Sequence, residues 1–187
     1  MSLKNIKTIS IFVTFALCFV THFVYSVFPN FLTSIFFPVN ESIWEHMKML
    51  VSAILIWEMV EYFLLKKYRI NHNNFYLSVF IQCLFSIFVF FIIYLPIYYF
   101  AGDNFIIDLV CLFISIYFES VFSFYILNNC FFNMEIIGVF GMILLYILFG
   151  LFTYFPLKND LFLDKIDNKY GINTYVVWLN ILFISFL

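Results

Sequence analysis

The stretch PVNESIWEHMK, residues 38–48, brings two carboxylates, an imidazole and an indole together at the start of a long apolar run. Glu41 and Glu45 are spaced i, i+4 and share one face of a predicted helix, with His46 about 100° further round. Carboxylates close to hydrocarbon acquire raised pKa values that suit proton transfer, and an imidazole can act as an acid, a base or a metal ligand. The stretch is therefore a candidate catalytic site.

The same residues also have a purely structural explanation. Asn40 is a favourable N-cap for a helix that begins at Glu41, and acids in a first turn interact well with the helix dipole. Trp44 suits the interface between membrane and water, and the apolar segment over 29–46 is predicted to be interfacial or re-entrant. This explanation does not account for His46, so both interpretations stay open.

Further ionisable side chains are predicted at a similar depth in the membrane. His22 lies late in the first apolar run, Asp108 lies one turn into the fourth, and Tyr170 follows three aspartates in the loop before the last run. Ionisable groups at membrane depth usually face the protein interior or a wet cavity, so we predict one shared polar site. The candidate catalytic residues are Glu41, Glu45, His46 and Asp164, and the candidate ligands for a divalent metal ion are His22, Glu45, His46 and Asp164.

A second layer of acids is predicted deeper in the membrane. Glu58 and Glu61 are one turn apart, and Glu119 falls at a similar depth in a later run. Glu61 is expected to pair with Lys66 or Arg69, whereas Glu58 and Glu119 have no cation nearby in the sequence. They are expected to be protonated, hydrogen-bonded to each other or part of an ion path. The candidate substrate- or ion-binding residues are Asp108, Tyr170, Glu58 and Glu119.

The elements that position these residues follow from the composition. Of the 187 residues, 65% are hydrophobic and 11% are charged, whereas a soluble domain has about 25% charged residues. Lipid must therefore solvate most of the surface, and spanning segments in lipid must be helices because no water satisfies their backbone. The sequence predicts an all-α polytopic transmembrane helical bundle, a single integral membrane domain over 1–187. About six spans are predicted, at 8–28, 47–65, 76–100, 104–127, 135–155 and 172–187.

The distribution of lysine and arginine predicts the orientation. Lys4 and Lys7 precede the first run, and Lys66, Lys67 and Arg69 follow the second. Positive charges favour the cytoplasmic side, so the N-terminus is predicted to be cytoplasmic in a multi-pass protein of the cell membrane. A net charge of −2 without a basic run excludes nucleic acid as a partner. The expected partners are the lipid bilayer and a lipid or small-molecule substrate, and the oligomeric state stays open.

Two short motifs resemble those of an uncharacterised family of small polytopic bacterial membrane proteins, a domain of unknown function. Its members carry an NES-aromatic-EH-x-K stretch after the first span, here residues 40–48, and an LF-x-D…YGI stretch before the last span, here residues 161–172. The resemblance covers the whole chain in layout and implies that the two loops belong to one site. Members often have a Pro-Pro-His stretch before the aspartate, where this chain has Lys158.

Three functions remain open from the sequence. The first is a membrane-embedded hydrolase or transferase that acts on a lipid-borne substrate, with its polar site at the outer membrane face. The second is a small transporter of a cation or a proton-coupled solute, in which Glu58 and Glu119 form a relay. The third is a non-catalytic accessory subunit that docks a partner. Metal content, solute flux and co-purification distinguish the three.

Overall fold

Apolar runs become helices along most of the chain. In a computed structural model, the described residues are 1–102, 104–129 and 133–172, and within them the chain forms six helices and one small sheet. The predicted all-α class of transmembrane helical protein is confirmed. The elements are α1 (Leu3–Val27), α2 (Phe31–Phe36), α3 (Ile43–Lys67), α4 (Phe75–Ala101), α5 (Phe105–Asn129), α6 (Glu135–Tyr154), β1 (Leu163–Asp164) and β2 (Lys169–Tyr170).

Four helices of the described residues, α1, α4, α5 and α6, are long and apolar enough to cross a membrane. Within the described residues, which contain five of the six predicted runs, length and composition thus support about four spans. The run over 47–65 does form a helix, α3, with 25 residues. However, this helix carries charged groups throughout its length, among them Lys48, Glu58 and Glu61. The short run predicted over 172–187 lies outside the described residues, apart from its first residue.

The chain divides into two compact units. Unit 1 comprises Met1–Leu17 and Ala53–Met142, and unit 2 comprises Cys18–Ser52 and Ile143–Leu187. Helices α1, α3 and α6 each contribute one part to each unit. The single domain predicted over 1–187 stays a prediction.

In unit 1, α4 packs along α5 and joins the start of α6 through backbone caps. Glu135, at the start of α6, accepts hydrogen bonds from the Phe75 and Tyr76 backbone N–H groups at 2.9 and 2.7 Å. In return, Asn74 Oδ1 accepts the backbone N–H of Met134 at 2.6 Å. These bonds satisfy N–H groups that the first turns of both helices leave without an intrahelical partner.

Gly138 allows α6 to lie against the start of α4. A Cβ at this position would lie 2.2 Å from Tyr76 C and 2.3 Å from Leu77 N, and backbone atoms cannot move aside as a flexible side chain can. Gly138→Ala is therefore expected to lower the free energy of unfolding by about 1–3 kcal/mol, measured by denaturant titration in detergent micelles. Gly150→Ala is the matched control, because its Cβ would meet Ile35 Cγ1 at an ordinary 3.7 Å. Equal losses in both variants would contradict the steric explanation.

In unit 2, the segment after α1 folds back as the short helix α2. Asn30 caps it: Asn30 Oδ1 accepts the Thr33 backbone N–H at 3.0 Å, and Thr33 Oγ1 accepts the Asn30 backbone N–H at 3.1 Å. Ser34 Oγ lies 2.8 Å from the Tyr154 hydroxyl of α6. Strands β1 and β2 pair antiparallel, with Asp164 opposite Lys169. These contacts position the loops around the start of α3.

Candidate metal centre

Helix α3 begins two residues later than the sequence predicts. Ser42, not Asn40, is its N-cap: Ser42 Oγ accepts the Glu45 backbone N–H at 3.3 Å, and Ser42 O accepts that of His46 at 3.1 Å. Asn40 Oδ1 instead accepts the Ser42 backbone N–H at 2.9 Å, which forms a turn before the helix. Glu41 therefore lies outside the helix, so the predicted i, i+4 pairing with Glu45 does not hold.

The turn before α3 directs Glu41 towards two imidazoles. Its Oε2 lies 3.3 Å from His22 Nε2 of α1 and 3.4 Å from His46 Nε2 of α3. The two Nε2 atoms lie 3.3 Å from each other. One oxygen and two nitrogens from three separate segments of unit 2 thus form a nearly equilateral triangle.

The contact between His46 and the Ser42 carbonyl determines which ring nitrogen of His46 carries a proton. His46 Nδ1 lies 2.9 Å from the Ser42 carbonyl oxygen. A carbonyl can only accept, so Nδ1 carries the proton and, in a neutral ring, Nε2 presents a lone pair. That lone pair faces the Glu41 carboxylate, and two acceptors at this distance attract each other only when a cation lies between them. The cation is either a proton on the imidazole or a metal ion.

The charge state of Glu41 suits a cation ligand. In the state where both imidazole Nε2 atoms carry a proton, their hydrogen bonds hold the pKa of the Glu41 carboxyl well below its usual range, and they outweigh the opposing effect of burial. The group is therefore a carboxylate at neutral pH. The side chains of Glu41, His22 and His46 are 42%, 23% and 29% exposed, so an ion or a water molecule can reach them.

The size of the triangle matches one class of metal ion. A tetrahedral zinc ion with ligand bonds of about 2.0–2.1 Å holds neighbouring ligand atoms roughly 3.3–3.4 Å apart. An octahedral magnesium ion with similar bonds holds them only about 3.0 Å apart and prefers oxygen ligands. Imidazole nitrogens and a carboxylate oxygen are ordinary zinc ligands, and the spacing observed here agrees with three corners of a tetrahedron.

Glu45, predicted as a base and a metal ligand, is engaged elsewhere in unit 2. It pairs with Lys48, accepts the Val39 backbone N–H at 3.0 Å and accepts the Thr153 hydroxyl at 2.8 Å. Lys48 in turn donates to Ser34 O and Thr153 Oγ1, both at 2.8 Å. Glu45 and Lys48 are almost completely buried. Their contacts join the start of α3 to the end of α6.

Asp164, also predicted as a catalytic residue and a ligand, shapes the turn between β1 and β2. Its Oδ1 accepts the Ile166 and Asp167 backbone N–H groups at 2.9 and 3.2 Å, and its Oδ2 accepts the Glu41 backbone N–H at 3.3 Å. The last bond places Asp164 behind Glu41, where it orients the loop. Tyr170 lies in β2, opposite Leu163.

The other predicted site residues belong to unit 1. Asp108 is in the first turn of α5. Glu58 and Glu61 both pair with Lys7 of α1, which lies 51 residues before Glu58 in the sequence. The expected pairing of Glu61 with Lys66 or Arg69 is therefore replaced by a long-range pair, and Glu58 does have a cation. Glu119 is fully buried in α5.

The two sequence motifs are in direct contact in unit 2. The Trp44 ring packs against Phe162 at a centroid distance of 5.1 Å, and the Trp44 backbone N–H donates to Leu161 O at 3.0 Å. Asn40 Nδ2 donates to Gly171 O at 2.9 Å. These motif residues therefore hold the two loops together, whereas Glu41 and His46 face His22.

One sequence signal predicts that Glu41 lies before the helix. Ser42-Ile43-Trp44-Glu45 has the S-x-x-E spacing that marks a helix start, with Ser42 as N-cap. This start leaves Glu41 outside the helix and free to approach both histidines. His22 has no comparable local signal, because its rotation about α1 depends on packing.

Comparison with known proteins gives a family but no activity. The model of a family described as "Family of unknown function (DUF6512)" matches residues 1–172. That range includes His22, Glu41, His46 and both motif segments. No curated protein and no solved structure gives a significant match.

Proposed function

The chain belongs to DUF6512, a family of unknown function, and from its own geometry we propose that it is an integral membrane metalloenzyme. In this proposal His22, Glu41 and His46 hold one zinc ion. The reaction is hydrolysis of a substrate that resides in the lipid bilayer. The proposal replaces the predicted ligands Glu45 and Asp164 by Glu41, because both of those carboxylates are engaged in other contacts.

The observation that carries the proposal is the equal spacing of the three ligand atoms, 3.3, 3.3 and 3.4 Å. A second feature supports it. Metal-binding histidines commonly donate their other ring N–H to a carbonyl or carboxylate, which orients the ring and fixes its tautomer. His46 does so through Ser42 O. The position of Glu41 is likewise stabilised, because its backbone N–H donates a hydrogen bond to Asp164 Oδ2.

The chemistry follows from the number of ligands. A zinc ion with three protein ligands keeps a fourth position for water and lowers the pKa of that water towards neutrality. His22 lies five residues before the end of α1, which is roughly 7–8 Å along the helix axis. A site at this distance from the end of an apolar helix suits the polar headgroup or linkage of a lipid.

Metal analysis tests the binding site. We expect about one zinc ion per chain, measured by inductively coupled plasma mass spectrometry on protein purified in detergent. His22→Ala, Glu41→Gln and His46→Ala are each expected to lose most of it. His72→Ala is the matched control, because His72 lies in unit 1 and hydrogen-bonds to Ile70 O. A wild-type protein without zinc, or variants that retain it, would contradict the proposal.

Zinc retention is also expected to fall at acid pH, since protons compete for the ligands.

Hydrolysis is tested separately with vesicles of phosphatidylethanolamine and phosphatidylglycerol. Release of fatty acid or headgroup is followed by mass spectrometry for the wild type, Glu41→Gln and His46→Ala. The exposed residue Asp160 provides the control variant Asp160→Asn. We expect hydrolysis in the wild type and the control, and its loss in the two ligand variants and after chelation. A zinc-loaded protein that releases no product would refute the enzymatic part and leave the metal site standing.

The orientation in the membrane forms part of the proposal. A cytoplasmic N-terminus is supported by the positive charge of Lys4 near that end. Lys66 and Lys67 at the end of α3, with Arg69 just after it, support the same orientation on the condition that α3 also crosses the membrane. Reporter fusions at the N-terminus test it. If a reporter that works only on the outer side of the cell membrane is active when fused to the N-terminus, the assignment is overturned.

A further inference from the structure

A second group of ionisable side chains lies in unit 1 and takes no part in the proposed metal centre. Lys7 Nζ lies 3.2 Å from Glu58 Oε1 and contacts Glu61 Oε1, and all three side chains are at most 5% exposed. Ser120 Oγ donates to the Lys7 carbonyl oxygen at 2.8 Å, which holds α5 against α1. Glu119, the neighbour of Ser120 in α5, is also fully buried.

The charges of this group do not balance. Glu58, Glu61 and Glu119 contribute three negative charges when ionised, and Lys7 contributes one positive charge, so the sum is −2. From α4, the groups that interact with this cluster are Gln82 and Cys83, neither of which is a cation. An uncompensated charge inside a membrane protein costs several kcal/mol or more. Within the described residues the cluster thus has one cation for three acids, so a proton taken up from outside would lower this cost.

Several buried oxygen atoms of this group have no hydrogen-bond donor and are candidate positions for a proton. Within the described residues, neither oxygen of Glu119 has a hydrogen-bond partner, and the same holds for Glu58 Oε2 and Gln82 Oε1. Gln82 is fully buried and uses its Nε2 towards Ser78 Oγ at 3.4 Å. A set of buried acceptors with too few donors is expensive unless protons or cations join it.

We propose that Glu119 is a membrane-buried proton-binding site, whose carboxyl group exchanges a proton next to the Lys7–Glu58–Glu61 ion pairs. A proton neutralises Glu119, which reduces the charge of the cluster from −2 to −1, and converts one of its oxygens from an acceptor into a donor. A metal cation would instead lie close to the Lys7 ammonium and be repelled by it. The chemistry is that of a proton-coupled membrane protein, and it is independent of the zinc proposal.

Infrared spectroscopy of the purified protein in lipid nanodiscs tests the proposal. A protonated carboxyl shows a carbonyl stretch that a carboxylate lacks. We expect this band in the wild type at neutral pH, its reversible loss at alkaline pH, and its absence in Glu119→Gln. Asp160→Asn, at an exposed position, is the matched control and is expected to keep the band.

Each alternative has its own outcome. A wild-type spectrum without the band, or a band that Glu119→Gln leaves unchanged, overturns the proposal. A band that persists at the highest pH at which the protein stays folded identifies a permanently neutral group and overturns it as well. Thermal stabilisation by sodium chloride, but not by choline chloride, would point to a sodium ion instead. Glutamine mimics the protonated acid, so failure of Glu119→Gln to fold also counts against the proposal.

Discussion

Lys48→Met is expected to lower the free energy of unfolding by about 3–5 kcal/mol, because it leaves the buried Glu45 carboxylate without its cation. Lys48 and Glu45 are 0% and 1% exposed. The remaining donors to Glu45 are the Val39 backbone N–H and the Thr153 hydroxyl, which are neutral. Methionine keeps most of the apolar stem, so the loss is mainly electrostatic. Denaturant titration in mixed micelles measures it.

The double variant Glu45→Gln/Lys48→Met separates the charge effect from packing. Replacing both charges removes the uncompensated carboxylate, so the double variant is expected to be more stable than Lys48→Met alone. Lys169→Met is a surface control, because Lys169 pairs with Asp167 where both side chains are exposed. Its effect is expected to be small. Losses that simply add in the double variant would show that the two charges are not coupled.

The sequence predicts the helices well because an apolar run in lipid has no alternative to helix formation. The predicted runs 76–100, 104–127 and 135–155 agree closely with α4, α5 and α6. Among the predicted runs within the described residues, α3 is the one that does not qualify as a span, because its length suffices but its charges are too many. Those charges are tolerated because partners distant in sequence, such as Lys7 for Glu58, neutralise them. No local pattern predicts such pairs.

The candidate site depends on details that hydropathy does not contain. The sequence placed His22 and His46 in one site, and their Nε2 atoms lie 3.3 Å apart. It named Glu45 and Asp164 as the carboxylates among the metal ligands, and it placed Glu41 and Glu45 on one face of a helix that starts at Glu41. The helix starts at Ile43 instead. As a result Glu45 pairs with Lys48, and Glu41 contacts the two histidines. A difference of two residues in one helix start therefore changes the partners of both acids.

Gly171→Ala is expected to destabilise unit 2 by about 3 kcal/mol, from backbone strain and lost hydrogen bonds. Gly171 has φ +59, and a Cβ there would lie 2.4 Å from Thr153 O and 2.9 Å from Pro156 Cγ. The loop must then move away from α6. This movement breaks the bond from the Ile172 N–H to Thr153 O and the bond from Asn40 Nδ2 to Gly171 O.

Gly102→Ala is the control for Gly171→Ala, because it introduces backbone strain without a steric clash. Gly102 also has a positive φ, +78, but a Cβ there would meet nothing within 4 Å. Alanine at this position is therefore expected to cost only backbone strain, about 1–3 kcal/mol, because φ +78 with ψ −173 is a region that essentially only glycine adopts. Denaturant titration of both variants measures the difference, and equal losses would contradict the close approach at Gly171.

The Gly171 variant also connects the loop to the proposed metal centre. Asn40, which Gly171 O holds, accepts the Ser42 backbone N–H and so positions the turn that carries Glu41. A folded Gly171→Ala protein is therefore expected to bind zinc more weakly than the wild type, although residue 171 is not a ligand. Gly102→Ala is expected to bind zinc normally. Unchanged zinc affinity in Gly171→Ala would mean that Glu41 reaches the histidines without the support of this loop, and that the motif contacts serve stability alone.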